Sequence, residues 1–436
     1  RASFFHSANA IRQAFVAEQP DSTYVSPFSY AINEPNQLTQ HHLAKGEVKW
    51  TYSDHGNLIL RAGKQLNKRK EFDVRRNSSK PIIDLDLITN DVQLEWNHPD
   101  KFGLDGMIGI QYFYQDNDNN PGTNTTPFIP NYNTGRYSAF FVESKRLGEH
   151  VFEAGLRFDY ESSNVRGRET NQDIFRDEYS FTNLTSSIGY IKNLQKNNSF
   201  RTSIGTAWRS PNMAELFSFG QHGFKNSYGL LRHYFNEDNK LKTDKVLKLN
   251  ESNVKPEQGY KLINELKINK KLHSHSLAVY SHYLFNFIYL RPYGLIGTFR
   301  GPQPTFIFDQ TDALFLGADY DWSAEWSNYL EGTFGISYLW SRNITNKETL
   351  INQPPVTVSY KLIWQQRKLW KFSSSRILVK PFYRFEQFQA PRTLTPDQLI
   401  EGEEVITPES EIFDFKAAPE GYFMLRVSWE WEWNSF

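Results

Sequence analysis

The chain has 436 residues, 49 basic and 49 acidic side chains, no Cys, 3 Met, and 16% aromatic residues: 34 Phe, 23 Tyr and 11 Trp. Zero cysteine excludes a disulfide framework and a thiolate metal site, and balanced charge argues against nucleic acid as a partner, because phosphate binding needs a net basic face. No stretch approaches the ~18–20 continuous apolar residues of a transmembrane helix, so a chain this aromatic and yet polar on average can enter a membrane only as a barrel of alternating strand faces.

In chain order, the first period-two segment is 42–52; the pair His41-His42 at its start goes to opposite faces and cannot chelate one ion. Residues 149–161 send Phe152, Ala154, Leu156, Phe158 and Tyr160 one way and Glu153, Arg157, Asp159 and Glu161 the other. The same period fits 260–268. In 314–326, Leu314, Leu316, Ala318, Tyr320, Trp322, Ala324 and Trp326 oppose Asp319, Asp321, Ser323 and Glu325. Segments 330–340 and 376–386 repeat the pattern, as does 356–365 with Val356, Val358, Tyr360, Leu362 and Trp364 on one face. Last comes 421–433, where Phe423, Leu425, Val427, Trp429, Trp431 and Trp433 form one row against Arg426, Ser428, Glu430 and Glu432.

Period two throughout predicts strands. A coarse count gives roughly fifteen, each about nine to fifteen residues, longer than ordinary globular strands and suited to crossing a bilayer at a tilt. Brief turns near 53–56, 147–148, 195–198, 271–273, 326–328 and 367–368 alternate with long polar connections at 70–80, 116–133, 163–178, 210–255, 291–304, 341–353 and 388–419. Short periplasmic turns and long extracellular loops are the rule for outer-membrane barrels. The expected fold is therefore all-β, one antiparallel transmembrane β-barrel over 1–436. Its polar face, with Arg157, Asp159, Asp319, Asp321, Lys361, Arg384, Glu386, Glu430 and Glu432, is expected to line the lumen. Trp322, Trp326, Trp364, Trp429, Trp431 and Trp433 are expected to form an interfacial girdle.

A soluble propeller would need four- to six-residue strands and a motif period of ~40–50 residues, and neither is present. Enzyme chemistry also lacks a signature. Asp319/Asp321 and Glu430/Glu432 are generic same-face pairs, and His150, His273, His275 and His282 belong to no nucleophile motif.

Several stretches resemble the barrel of TonB-dependent outer-membrane receptors of the Bacteroidetes type. They are Trp208-Arg209-Ser210-Pro211-Asn212-Met213-Ala214-Glu215-Leu216-Phe217 followed by Gly220, His222 and Gly223; Pro256-Glu257-Gln258-Gly259-Tyr260; Gln310 with Leu316-Gly317-Ala318-Asp319; and Asn67-Lys68-Arg69-Lys70-Glu71-Phe72-Asp73 with Arg75 and Arg76. The resemblance implies a barrel of about 22 strands when complete, closed by a plug. It also implies uptake of a scarce nutrient, such as a ferric siderophore, haem, cobalamin, a zinc or copper complex or a glycan, driven by the periplasmic coupling protein TonB. No cofactor is implied. No plug or coupling segment precedes residue 1, so the chain is expected to be a partial barrel. Phe436 is out of phase with Trp433, and closing strands are expected beyond it.

The 210–255 loop offers His222, His233 and Tyr234, and the 291–304 loop offers Arg291, Tyr293, Phe299 and Arg300. Aromatic and basic groups at a barrel mouth suit an anionic, ring-bearing ferric chelate; His222 and His233 could instead meet haem iron or zinc. A passive porin-like channel is the alternative, and it would need neither plug nor coupling partner.

Overall fold

The computed structural model describes residues 19, 27–30, 35–54, 56–72, 80–101, 103–169, 171–194, 197–222, 225–298, 301–369, 372–394 and 412–433. Strands β1 (Asn36–Ser53), β2 (Gly56–Phe72), β3 (Ile83–Lys101), β4 (Leu104–Asn119), β5 (Asn131–Leu147), β6 (His150–Arg168), β7 (Ile174–Leu194) and β8 (Asn198–Arg209) form an antiparallel meander. A short helix, α1 (Met213–Phe217), and the small strands β9 (Phe219–His222), β10 (Lys225–Tyr228), β11 (Tyr234–Phe235) and β12 (Leu241–Lys242) occupy the loop that follows. The meander resumes with β13 (Glu257–Lys270) paired to β8, then β14 (His273–Thr298), β15 (Gly301–Ser327), β16 (Leu330–Asn343), β17 (Thr357–Leu369) and β18 (Phe372–Arg384). Two-residue strands β19 (Arg392–Thr393) and β20 (Phe413–Asp414) precede β21 (Tyr422–Trp433), which pairs with β18. Among the described residues, the only residue-by-residue pairing of β1 is with β2 and that of β21 is with β18.

The register preserves the two faces predicted from alternation. Val48, Leu60, Leu94, Ile110, Ala139, Phe158 and Leu184 stand opposite one another across seven strands. The adjacent row, on the other face, is Glu47, Arg61, Gln93, Gln111, Ser138, Asp159 and Asn183. The apolar row is the exposed one: Ile110, Phe158 and Leu184 are 58%, 45% and 61% accessible. Water would penalise such a continuous patch, whereas lipid solvates it.

On the polar face several charges are paired in place. Arg61 reaches Glu47 at 2.8 Å and Glu95 at 2.6 Å. Asp159, 1% exposed, accepts from Ser138 Oγ at 2.6 Å, Arg157 Nε at 3.0 Å and Trp208 Nε1 at 3.0 Å. Three donors offset the desolvation of a buried carboxylate.

Among the described residues, β8, β13, β16, β17, β18 and β21 have the nine to fifteen residues expected from the sequence, while β1–β7, β14 and β15 are longer. The long ones run from 12 to 27 residues, and β14 and β15 have 26 and 27. A tilted crossing needs only ~9–11, and these two meet the short turns at 270–273 and 327–330, so their surplus projects from the opposite, long-loop end. The expected loop 291–304 is instead the arm of this hairpin, paired from Arg291–Ile307 through Thr298–Gly301. Arg291-Pro292-Tyr293-Gly294 reads as a turn, but a bulge between Pro292 and Gly294 absorbs the proline and the ladder continues. Likewise the expected loop 163–178 shrinks to residues 169–173 between β6 and β7. Among strands, β18 carries Pro381 in its interior, and its ladder to β17 lapses between the Ser359–Phe382 and Leu362–Val379 pairs, where proline has no N–H to donate.

The tryptophans expected to form a girdle lie toward the short-turn end, whereas Trp208 and Trp340 lie near the long-loop ends of β8 and β16. Phe372 lies 6.2, 6.0 and 5.4 Å from Trp429, Trp431 and Trp433. Trp364 aligns with Ile377 and, through it, Trp429; Trp322 lies 6.4 Å from Trp326. Trp50, Tyr52 and Trp96 continue the set at the same end, with Trp96 Nε1 donating to Tyr52 at 2.7 Å. Phe436 lies outside the described residues.

Candidate ligand-binding site at the long-loop end

The 210–256 connection is a folded unit, and its order starts from a capping box. Asn212 Oδ1 accepts from Glu215 N at 2.9 Å, and Glu215 Oε2 accepts from Asn212 N at 2.8 Å. Arg209, at the end of β8, donates to Glu215 at 2.6 Å and to Glu257, at the start of β13, at 2.8 Å. One guanidinium therefore ties the loop's first turn to its exit. Glu257 also accepts from Ile288 N at 2.6 Å, and Gln310 donates to Lys255 O and Asn286 O at 2.7 and 3.0 Å. The motif residues Arg209, Glu215, Glu257 and Gln310 thus act as a clasp that fixes the loop on the strands.

Below the clasp is a small core. Leu216, Phe217 and Leu231 are fully buried and pack with Met213 against Val165, Tyr179 and Phe181 on the polar face of β6 and β7. Strand β10 adds itself in parallel to the edge of β15, pairing Asn226, Ser227 and Tyr228 with Thr305, Phe306 and Ile307. This covers an edge that the projecting hairpin would otherwise leave open. Gly229 passes so close to the backbone of Leu216 and Phe217 that a Cβ there would collide with both. Gly229→Ala is expected to loosen this unit by about 1–3 kcal/mol, seen as faster proteolysis within 210–255 while the strands stay protected.

The candidate residues divide. His233, Arg291 and Tyr293 come together: His233 and Tyr293 flank Phe235 with ring centroids 6.1 and 6.0 Å away, and Arg291 pairs with Asp309 at 3.3 Å. His233 Nδ1 donates to Gly229 O at 2.8 Å. Burial pushes its imidazole below the ordinary histidine range, with nearby Arg291 acting in the same direction and the Gly229 bond and Asp309 opposing. Tyr234 turns away, donating to Asp244 at 3.0 Å with Lys245 over its ring at 4.6 Å. His222 ends β9, but its side chain, like Phe299 and Arg300, lies outside the described residues. Among the described residues no cluster of three His, Asp or Glu is placed to hold a metal ion.

Sequence reasoning missed a larger feature beside these residues. A cavity of about 960 Å³ opens between the 119–131 connection and the ends of β6 and β7, and Arg166, Arg168 and Arg232 line it. Arg232 is 2% exposed, held between Phe175 and Phe219 at 4.9 and 4.8 Å. A single arginine in a polar loop carries no sequence signal for this; the pocket is assembled from elements some sixty residues apart.

A family model described as "TonB dependent receptor-like, beta-barrel" matches residues 3–428. Among curated proteins none matches the sequence. Solved structures similar to the chain include the copper transporter OprC (13% identity, TM-score 0.59, 90% of this chain and 64% of that one). Others are the FrpB iron transporter from Neisseria meningitidis (13%, 0.60, 92% and 58%) and the siderophore receptor PiuA from Acinetobacter baumannii (11%, 0.61, 91% and 59%). At such identities the likeness is one of fold. The chain spans about three fifths of the length of these structures.

Proposed function

The chain belongs to the TonB-dependent receptor-like β-barrel family, and from that premise we propose that it forms the barrel of a receptor for energy-coupled uptake of an iron complex, a ferric siderophore or haem. The family is one of outer-membrane receptors and transporters of Gram-negative bacteria, not of enzymes. The observation that carries the reading is the ordered loop unit: a helix, four short strands and the β14–β15 hairpin bring His233, Arg291, Tyr293 and Phe235 together at one end of the sheet. Passive diffusion needs no such apparatus. Rings and a buried cation suit an anionic chelate. The iron and siderophore cargoes named for FrpB and PiuA support iron, while OprC makes copper the nearest competitor.

In this reading Trp322, Trp326, Trp364, Trp429, Trp431 and Trp433, with Trp50 and Trp96, form the girdle at the turn-side interface. Outward residues past the apolar band support that placement: on β2, Leu58, Leu60 and Ala62 give way to Lys64, Leu66, Lys68 and Lys70, and Lys68 and Lys70 pair with Asp86 and Asp84 at 3.2 Å. The gate and the contact with TonB belong to a plug, which these strands do not supply.

Growth of a deletion strain on single nutrient sources tests the substrate. The expected result is a defect confined to one or more iron complexes. A defect confined to cobalamin, copper, zinc or a glycan would reassign the cargo, and undiminished growth on all of them would overturn the reading.

A further inference from the structure

The 960 Å³ cavity at the long-loop end has a property that the His233 cluster lacks: three arginines line it and no Asp or Glu does, in a chain whose charges balance. Among the described residues none of the three has a carboxylate within ion-pair distance. Arg232 donates to the carbonyls of Phe217 at 3.4 Å and Arg168 at 2.9 Å; Arg168 donates to Gln172 O at 3.1 Å. Carbonyl dipoles and two phenyl faces leave the net charge in place. Burial lowers the Arg232 guanidinium to about 10, with Glu169 the one acid acting against it, from beyond bonding distance. A buried cation without a counter-ion costs free energy unless something negative enters.

We infer that this cavity binds an anionic oxygen cluster of the ligand, a carboxylate or phosphate group, with Arg232 at its floor and Arg166 and Arg168 at its exposed rim. The site rests on the receptor reading above and adds to it a second point of contact with the anionic cargo, separate from His233, that takes its carboxylate or phosphate oxygens. A guanidinium presents paired N–H donors that match such oxygens. The amide and hydroxyl groups around the rim, Asn120, Thr126 and Asn131 among them, suit a hydroxyl-rich ligand.

Two exposed rim residues allow a test that spares folding. The full-length receptor is purified in detergent, and Arg166→Gln/Arg168→Gln is compared with the parent for binding of ferric citrate, an uncharged ferric trihydroxamate, and iron-free citrate. The expected result is a loss of about tenfold or more for both citrate probes, steeper at low salt, with the uncharged complex changed by less than about twofold. Arg232→Lys, which keeps the charge and loses the fork, should weaken the citrate probes as well. Equal losses for charged and uncharged complexes, or unchanged citrate binding, would overturn the anion site. If the arginines govern instead the retention of lipopolysaccharide phosphate, the cavity serves the lipid and the inference fails. Failure of the receptor reading looks different: no ferric complex of either charge binds the parent, while iron-free citrate still distinguishes parent from variant.

Discussion

Arg209→Ala is expected to release the 210–256 unit from the strands while the barrel itself stays assembled. The guanidinium, 42% exposed, sits between two carboxylates that are only 12% and 10% exposed. Removing it leaves Glu215 and Glu257 as neighbouring buried anions, each keeping backbone donors but no counter-charge. Truncating one member of such a network costs about 2–3 kcal/mol when the removed partner is half in water. That exceeds what the capping box alone supplies, about 1 kcal/mol, so α1 should fray and Leu216, Phe217 and Leu231 should lose their seat on β6 and β7. Hydrogen exchange should show fast exchange across 213–235 and unchanged protection of β13 beyond its first residues. Ligand uptake should fall at least tenfold. Unchanged exchange in the loop would show that the apolar core, rather than the ion pairs, holds it.

The second large effect lies on the lipid side. Val379 is central in its outward row, facing Leu362 on one neighbour and Val427 on the other. Val379→Arg is expected to cost about 2–4 kcal/mol of barrel stability, the value for a cation near the bilayer midplane. Its chain neighbour Lys380 points to the polar face, opposite Arg426, and Lys380→Leu should stay within about 0.5 kcal/mol. The readout is the fraction of folded, heat-modifiable receptor in isolated outer membranes. Similar losses for both variants would contradict the assignment of faces.

The assignment of faces was legible from the chain because period two survives insertion: Phe158 and the Trp429 row stand where alternation puts them. Strand ends were not. Arg291-Pro292-Tyr293-Gly294 has turn composition, yet a bulge and the parallel addition of β10 stabilise it as strand, and both depend on residues distant in sequence. Of the candidate ligand residues, the fold gathers His233, Arg291 and Tyr293 near Phe235 and Asp309, whereas Tyr234 is turned to Asp244 by the β11–β12 hairpin. Arg209 and Glu257 were visible only as a resemblance; their physical task, clasping one loop, needed the distances. The arginine cavity had no signal at all, since Arg166 and Arg168 read as residues of the polar connection 163–178, and only the fold makes them strand and brings Arg232 to the same cavity.

The central claim is coupled uptake through this barrel. Accumulation of a radiolabelled ferric chelate is measured in cells making the whole receptor, with and without the energy-coupling protein. Saturable uptake that depends on the coupling protein is the result expected here. Unsaturable uptake at the same rate in cells lacking the coupling protein would make the barrel a passive channel and contradict the account.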